Sequence, residues 1–222
     1  LTSATTRKAK AVKAGLLDSA VASASFTVTS GVVPKSATAP QTPSPLTLDG
    51  QLSEPAWALA PPVAFSDPRS PPKSENTATV RLLWDATALY VGYTVTDTQL
   101  EATGQGLAQD DGAELYLDGA HNQSVTMDAD DSHLMTNLQN QSSLAGVTVK
   151  TVTTPTGYTQ ELALPWSVLK TPPSAGKVLG LLLALNDRDN GVGVQFDWQN
   201  LISLGSYAQP QYWGTLTLGG PL

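Results

Sequence analysis

Two neighbouring stretches, TATVRLLWD at residues 77–85 and ALYVGYTVTD at residues 88–97, decide the class of fold. Both are rich in β-branched and aromatic side chains, and both end at an aspartate, as strands bounded by turns do. Working outward, segments of the same kind recur as AELYLDG (113–119), DSHLMTNLQ (131–139), GVTVKTVTT (146–154), GYTQELALPW (157–166), GLLLALND (180–187) and WGTLTL (213–218). About eight or nine short strands in a body of this length fit an all-β sandwich of two sheets. Composition agrees: charged residues are 14% and hydrophobic residues 41%, which favours short strands and turns over long charged helices.

The charge is divided along the chain. Residues 1–45 carry Arg7, Lys8, Lys10, Lys13 and Lys35 against Asp18 alone, a balance of +4, whereas the rest carries −11. Residues 34–45, PKSATAPQTPSP, hold four prolines and almost nothing that builds a core, so they read as an extended linker. Upstream, Ala20, Ala22, Ala24, Phe26 and Val28 alternate with mostly polar neighbours, the period-2 pattern of a strand with one apolar face. Val12, Leu16 and Ala20, at spacing four, also suit a short amphipathic helix. The expected domains are therefore an N-terminal arm and linker, 1–45, and a sandwich, 46–222.

Several functional classes are excluded or disfavoured. A net charge of −7 opposes nucleic acid as a partner, and no apolar run approaches the roughly 18 residues of a membrane span. Cysteine is absent, which removes disulfides and thiol chemistry. No GxSxG, HExxH or P-loop pattern occurs, and the expectation is no enzyme. His121, His133, Met127 and Met135 cluster without a motif and read as packing or surface residues. With no initiator Met, the chain reads as a processed secreted product, extracellular or on the cell surface.

The acids are the chemically informative feature. Asp110, Asp111, Asp118, Asp128, Asp130 and Asp131 crowd two loops of a weakly charged chain. A hard cation such as calcium takes six to eight oxygen ligands and suits such a cluster, while isolated aspartates merely cap turns. NDRDNG at 186–191 adds Asp187 and Asp189; position 12 from Asp187 is Trp198, so this is no EF-hand, and a β-turn closing a strand is its first reading, with a looser calcium contact as the second.

The segments LDGQLSEPAW, VRLLWDATALYVGYTVTD, QDDGAELYLDG, DADDSH, GYTQELALPW, LALNDRDNG and YWGTLTL together resemble the family 9 carbohydrate-binding modules over residues 46–218. The resemblance implies a jelly-roll-like antiparallel sandwich, calcium held by loop carboxylates, and no catalysis. It also implies a glycan site in which two tryptophans clamp a sugar ring. Here those two positions fall on Leu107 and Tyr207, and an expected arginine falls on Met135, while Glu114 and Asn137 match polar positions of the family. Trp198, Tyr207, Tyr212 and Trp213 lie near the expected ligand end, whereas Trp57, Trp84 and Trp166 read as buried anchors.

Two functions compete. The first expectation is an extracellular structural subunit that self-assembles into a filament or surface layer, a homopolymer in which the arm is a donor strand inserted into a neighbouring calcium-stabilised sandwich. This explains the arm, its charge and the incomplete clamp. The alternative is a secreted carbohydrate-binding module that binds plant or microbial polysaccharide.

Overall fold

The computed structural model describes residues 5–26, 34–103, 106–201 and 205–222. It divides into two units, residues 1–33 and residues 34–222.

In the first unit β1 (Thr5–Ala9) pairs antiparallel with β2 (Ala22–Phe26) in the register Thr5↔Phe26 to Ala9↔Ala22. Residues 10–21 form a loop with no helix, closed by a Lys10–Asp18 ion pair. The expected donor strand is thus half of a hairpin, with one edge of its ladder already used. Ala20, Ala22 and Ala24 are exposed, Phe26 is described by its backbone only, and Val28 lies outside the described residues.

The second unit is one curled sheet wrapped into two layers. Its strands are β3 (Ser36–Gln41), β4 (Val63–Ser66), β5 (Thr77–Trp84), β6 (Ala88–Thr96), β7 (Gly112–Asp118), β8 (Asp131–Met135), β9 (Thr148–Thr154), β10 (Gly157–Pro165), β11 (Val178–Asp189), β12 (Val192–Asp197) and β13 (Gly214–Pro221), with one short helix, α1 (Pro55–Leu59). The order is β8-β7-β11-β13-β3-β5-β6-β10-β9, with β12 also on β11 and β4 on β5. Residues 36–41, expected as linker, supply β3, which lies parallel to β13 and β5 and joins the two layers. Ala37 and Ala39 alternate inward there, and small side chains fit where the sheet turns between layers. All other pairings are antiparallel, as a sandwich of this kind requires.

The layers meet through alternating side chains. Leu115, Leu117, Leu181, Leu183 and Leu185 from one half share a core with Val80, Leu82, Val91, Tyr93 and Leu162 from the other. Two polar ties cross it: the Tyr93 hydroxyl donates to the Glu114 carbonyl at 3.1 Å, and buried Gln160 accepts from Thr136 Oγ1 at 2.6 Å. Trp57, Trp84 and Trp166 are buried, as anchors should be. Trp57 lies in a smaller cluster with Leu83 and Tyr90 on the outer face of β5 and β6, against which Leu46, Leu48 and Leu52 pack.

One loop ties the layers near β12. Asp67 accepts from Arg69 Nε at 2.6 Å and from the backbone N–H groups of Arg69, Lys73 and Ser74, while Arg69 also donates to the Gln195 carbonyl. Burial alone would raise the Asp67 pKa, but these donors lower it from 3.8 to about 2. Because the folded value lies below the unfolded one, the stabilisation is complete above about pH 4 and disappears as the pH falls to about 2. Asp67→Asn should therefore cost about 2 kcal/mol at neutral pH and almost nothing at pH 2, measured by urea unfolding across that range. A cost independent of pH would refute this account.

Candidate functional site

β7 alternates between two environments. Ala113, Leu115 and Leu117 face the core, so Glu114 and Tyr116 face the outer side of the layer β8-β7-β11-β12. The β11–β12 hairpin closes on Asn190 (φ 51°) and Gly191 (φ 78°), both in the left-handed region that such a two-residue turn requires. Its register sets Gln195 opposite Asn186. A groove of about 270 Å³ opens over this face, lined by Ala108, Glu114, Asn186, Arg188, Val194 and Gln195 among others.

Glu114 organises the floor. Asn186 Nδ2 donates to its Oε1 at 2.6 Å, while the Tyr116 hydroxyl at 2.5 Å and His133 Nε2 at 2.9 Å both reach its Oε2. Burial would raise the Glu114 pKa, but donation by His133, Tyr116 and Asn186 more than offsets it, and the carboxyl stays ionised. An ionised carboxylate only accepts, so His133 Nε2 carries its proton. The His133 ring lies on Tyr116 with centroids 4.0 Å apart and planes 7° apart, and Tyr116 leans on Trp213 at 5.6 Å. Tyr207, from a short 3-10 turn at Ser206–Ala208, is 48% exposed.

The remaining glycan candidates stand differently. Asn137 is buried, bonding Asp110 at 3.2 Å and Gln141 at 2.8 Å, so it braces the loop instead of facing a ligand. Trp198 and Trp213, expected near the ligand as exposed aromatics, are buried; Trp198 Nε1 donates to the Leu181 carbonyl and its ring belongs to the core. Met135 is half-buried opposite Glu114, and Leu107 begins the 3-10 turn beside the groove.

Among the described residues the acids form three groups whose ligand atoms lie within 4.8 Å of one another: Glu75, Asp187 and Asp189; Asp97, Asp111 and Asp187; and Asp118, Asp130 and Asp131. Atoms so spaced can sit on one coordination sphere of calcium, whose bonds are about 2.4 Å. Asp131 Oδ1, Asp187 Oδ1 and Asp189 Oδ1 are buried without a hydrogen-bond partner. Burial first, then the neighbouring carboxylates, raises Asp111 to about 7 and Asp131 and Asp187 to about 6. A hard divalent cation fits this donor set. Asp110 and Asp128 lie outside the three groups: Asp110 takes Thr103 and Asn137, and Asp128 takes Asn122 and the Asp130 N–H.

Sequence reading passed over Glu75, Asp97, Asn186 and Gln195, and took His133 for a packing or surface residue, whereas it bonds Glu114 and stacks on Tyr116. The signal for Gln195 was present, because VGVQFD alternates and the Asn-Gly turn fixes its register against β11. Glu75 and Asp97 reach their groups only through the tertiary approach of the two layers.

Residues 48–221 match the family model described as "Carbohydrate family 9 binding domain-like". Endo-1,4-beta-xylanase C of Paenibacillus barcinonensis is 30% identical over 181 residues, 78% of this chain and 16% of that protein. Endo-1,4-beta-xylanase A of Thermoanaerobacterium saccharolyticum is 32% identical over 119 residues, 51% of this chain and 10% of that protein. The chain thus spans only a small part of these relatives. A family 9 carbohydrate-binding module from Caldicellulosiruptor kristjanssonii, solved with cellotriose, superposes with a TM-score of 0.72 at 22% identity, covering 85% of this chain and 95% of that one. The same kind of module solved with glucose gives a TM-score of 0.69 at 21% identity, with coverages of 85% and 97%. These matches overturn the expectation of a filament or surface-layer subunit: they run through the whole body to a binding domain, and none supports a homopolymer built through a donor strand. By its body the chain belongs to the family 9 carbohydrate-binding domains.

Proposed function

We propose that the body is a non-catalytic module that binds a neutral polysaccharide of the β-1,4-glucan or xylan kind outside the cell, with calcium bracing its loops. The observation that carries this is the groove over Glu114, where Asn186, Gln195 and Arg188 offer polar groups; Tyr207 is an exposed aromatic ring of the same unit. The relatives solved with cellotriose and glucose and the xylanases among the matches support the ligand class. Glu114 Oε1 has one side-chain donor, from Asn186, and keeps a lone pair for a sugar hydroxyl. Leu107 and Met135 supply neither a flat ring nor a donor, so the affinity is expected to be weaker than that of a complete clamp.

Calorimetric titration with glucose, cellotriose and xylotriose tests the reading. Cellotriose should bind, Tyr207→Ala should weaken it about tenfold, and Asn186→Ala, which takes one donor from Glu114, by a similar factor. Absence of binding to all three sugars by the calcium-loaded protein would sink the proposal. The calcium part is tested separately, through stability.

A further inference from the structure

We propose that the body carries a second sugar-binding site, a cleft on the outer face of β5, β6 and β10 that takes one neutral sugar unit, in the layer opposite the groove over Glu114. The proposal goes beyond the groove and does not depend on it, because the two share no residue.

Strand register builds the cleft. Arg81 alternates with the core residues Val80 and Leu82, and Thr94 with Tyr93 and Val95, so both face outward. Thr159 pairs with Thr94 and faces the same way, and segment 51–58 lines the rest. The volume, about 410 Å³, lies within the roughly 300–1,000 Å³ of small-ligand sites. Leu52, Pro55 and Ala58 give an apolar lining, and Glu54, Arg81 and Thr94 a polar one. Its shape is set before any ligand arrives. Leu52 has φ 55°, which a bulky residue adopts only under constraint; Glu161 accepts its N–H at 3.0 Å, and the missing Cβ of Gly92 makes room for its side chain. A preformed site loses less freedom on binding.

The fold leaves these polar groups underused. Arg81 Nη1 donates to the Ala60 carbonyl, and the other guanidinium N–H groups have no acceptor among the described residues. Glu54 Oε2 accepts from Trp57 Nε1 at 3.1 Å, while its Oε1 accepts from no described residue. One guanidinium and one carboxylate leave the cleft without net charge, so an anion would meet Glu54 and a cation would meet Arg81. A neutral polyol answers both, because a hydroxyl donates to a carboxylate and accepts from a guanidinium. The ring C–H groups of a sugar suit the apolar lining. With the groove on the other outer face, one module would hold two sugar units at once.

Amide NMR of the native chain in excess calcium tests this without any variant. Cellotriose should shift the Leu52, Thr94 and Thr159 amides, separately from Glu114, Asn186 and Gln195 at the groove; glucose, run beside it, distinguishes a free sugar from a unit within a chain. Thr94→Val, which keeps the shape and removes a hydroxyl, and Glu54→Gln should each weaken binding at the cleft about five- to tenfold and leave the groove affinity unchanged. Shifts at the groove with none at the cleft would overturn this proposal alone. Shifts at the cleft with none at the groove would support it and sink the groove reading, and silence at both would sink both. Unchanged cleft affinity in both variants would also overturn it.

Discussion

Chelation should lower the melting temperature of the body by about 10 °C, and Asp187→Asn should melt above the native protein in EDTA but below it in excess calcium. A ligand that binds only the folded state at a thousand times its dissociation constant stabilises by about 4 kcal/mol. In a domain of this size each kcal/mol is worth about 2–4 °C. Asp187 belongs to two of the three acid groups and is buried with one oxygen unpartnered. Burial, and after it the charges of Asp189, Asp97 and Glu75, raises its pKa to about 6. Without a cation at pH 7 the ionised carboxylate opposes folding, by an amount on the order of 2 kcal/mol. Asparagine removes that repulsion and also removes a ligand. The variant should thus melt higher than the native protein in EDTA and lower in excess calcium. Calorimetric scans in both media check this; a native melting curve indifferent to EDTA, or a variant displaced the same way in both, would discard the calcium assignment.

Replacing Glu161 by alanine should cost on the order of 4 kcal/mol, the largest loss expected from one side chain outside the acid groups. Glu161 is fully buried on the outer face of β10 and accepts four hydrogen bonds. The Asp49 and Gly50 N–H groups reach Oε2 at 2.8 and 2.7 Å, and the Leu52 N–H and Trp57 Nε1 reach Oε1, both at 3.0 Å. It is therefore the knot that fastens the segment 46–60 across the sheet. Opposite it, Gly92 leaves the space into which Leu52 inserts; a Cβ there would lie 2.0 Å from Leu52 Cδ2. Alanine at 161 strands the three backbone donors while Trp57 Nε1 keeps its bond to Glu54, and glutamine turns an amide N–H₂ toward two of the four donors, so Glu161→Gln should recover only part of the loss. Glu54, whose charge helps raise the Glu161 pKa after burial, is the control: Glu54→Gln should be close to neutral, because it removes a repulsion along with one bond to Trp57. Urea unfolding measures all three. A cost below about 1 kcal/mol for Glu161→Ala would show that the segment is held by packing alone.

The second experiment also explains what the motif LDGQLSEPAW means physically. Its leucines cover the outer cluster, its Asp-Gly turn and Leu52 present backbone donors, and its tryptophan supplies a ring and one N–H, all directed at one carboxylate about 110 residues away in the chain. A short sequence can carry so strong a family resemblance because four of its donors answer to the same buried carboxylate.

By itself the sequence determined the strands and their inward faces. Alternation with β-branched and aromatic residues leaves a chain such as β5 and β6 one way to bury Leu82 and Val91, and period 2 is a local property. It also determined the turn at Asn190-Gly191, where positive φ demands those residues. The tertiary structure decided the rest. β3 is Pro- and Ala-rich and reads as linker, yet it is a strand because β13 and β5 offer it edges on both sides. β2 reads as a strand without a home and finds β1. The acids of one loop join compact carboxylate groups only when Glu75 and Asp97 arrive from elsewhere in the chain. Trp198 is drawn into the core while Tyr207 stays exposed, although both are aromatic and near in sequence. Backbone pairing and hydrophobic alternation act between neighbours in the chain, whereas a site is made by distances between residues far apart in it, and those distances exist only after the layers have closed.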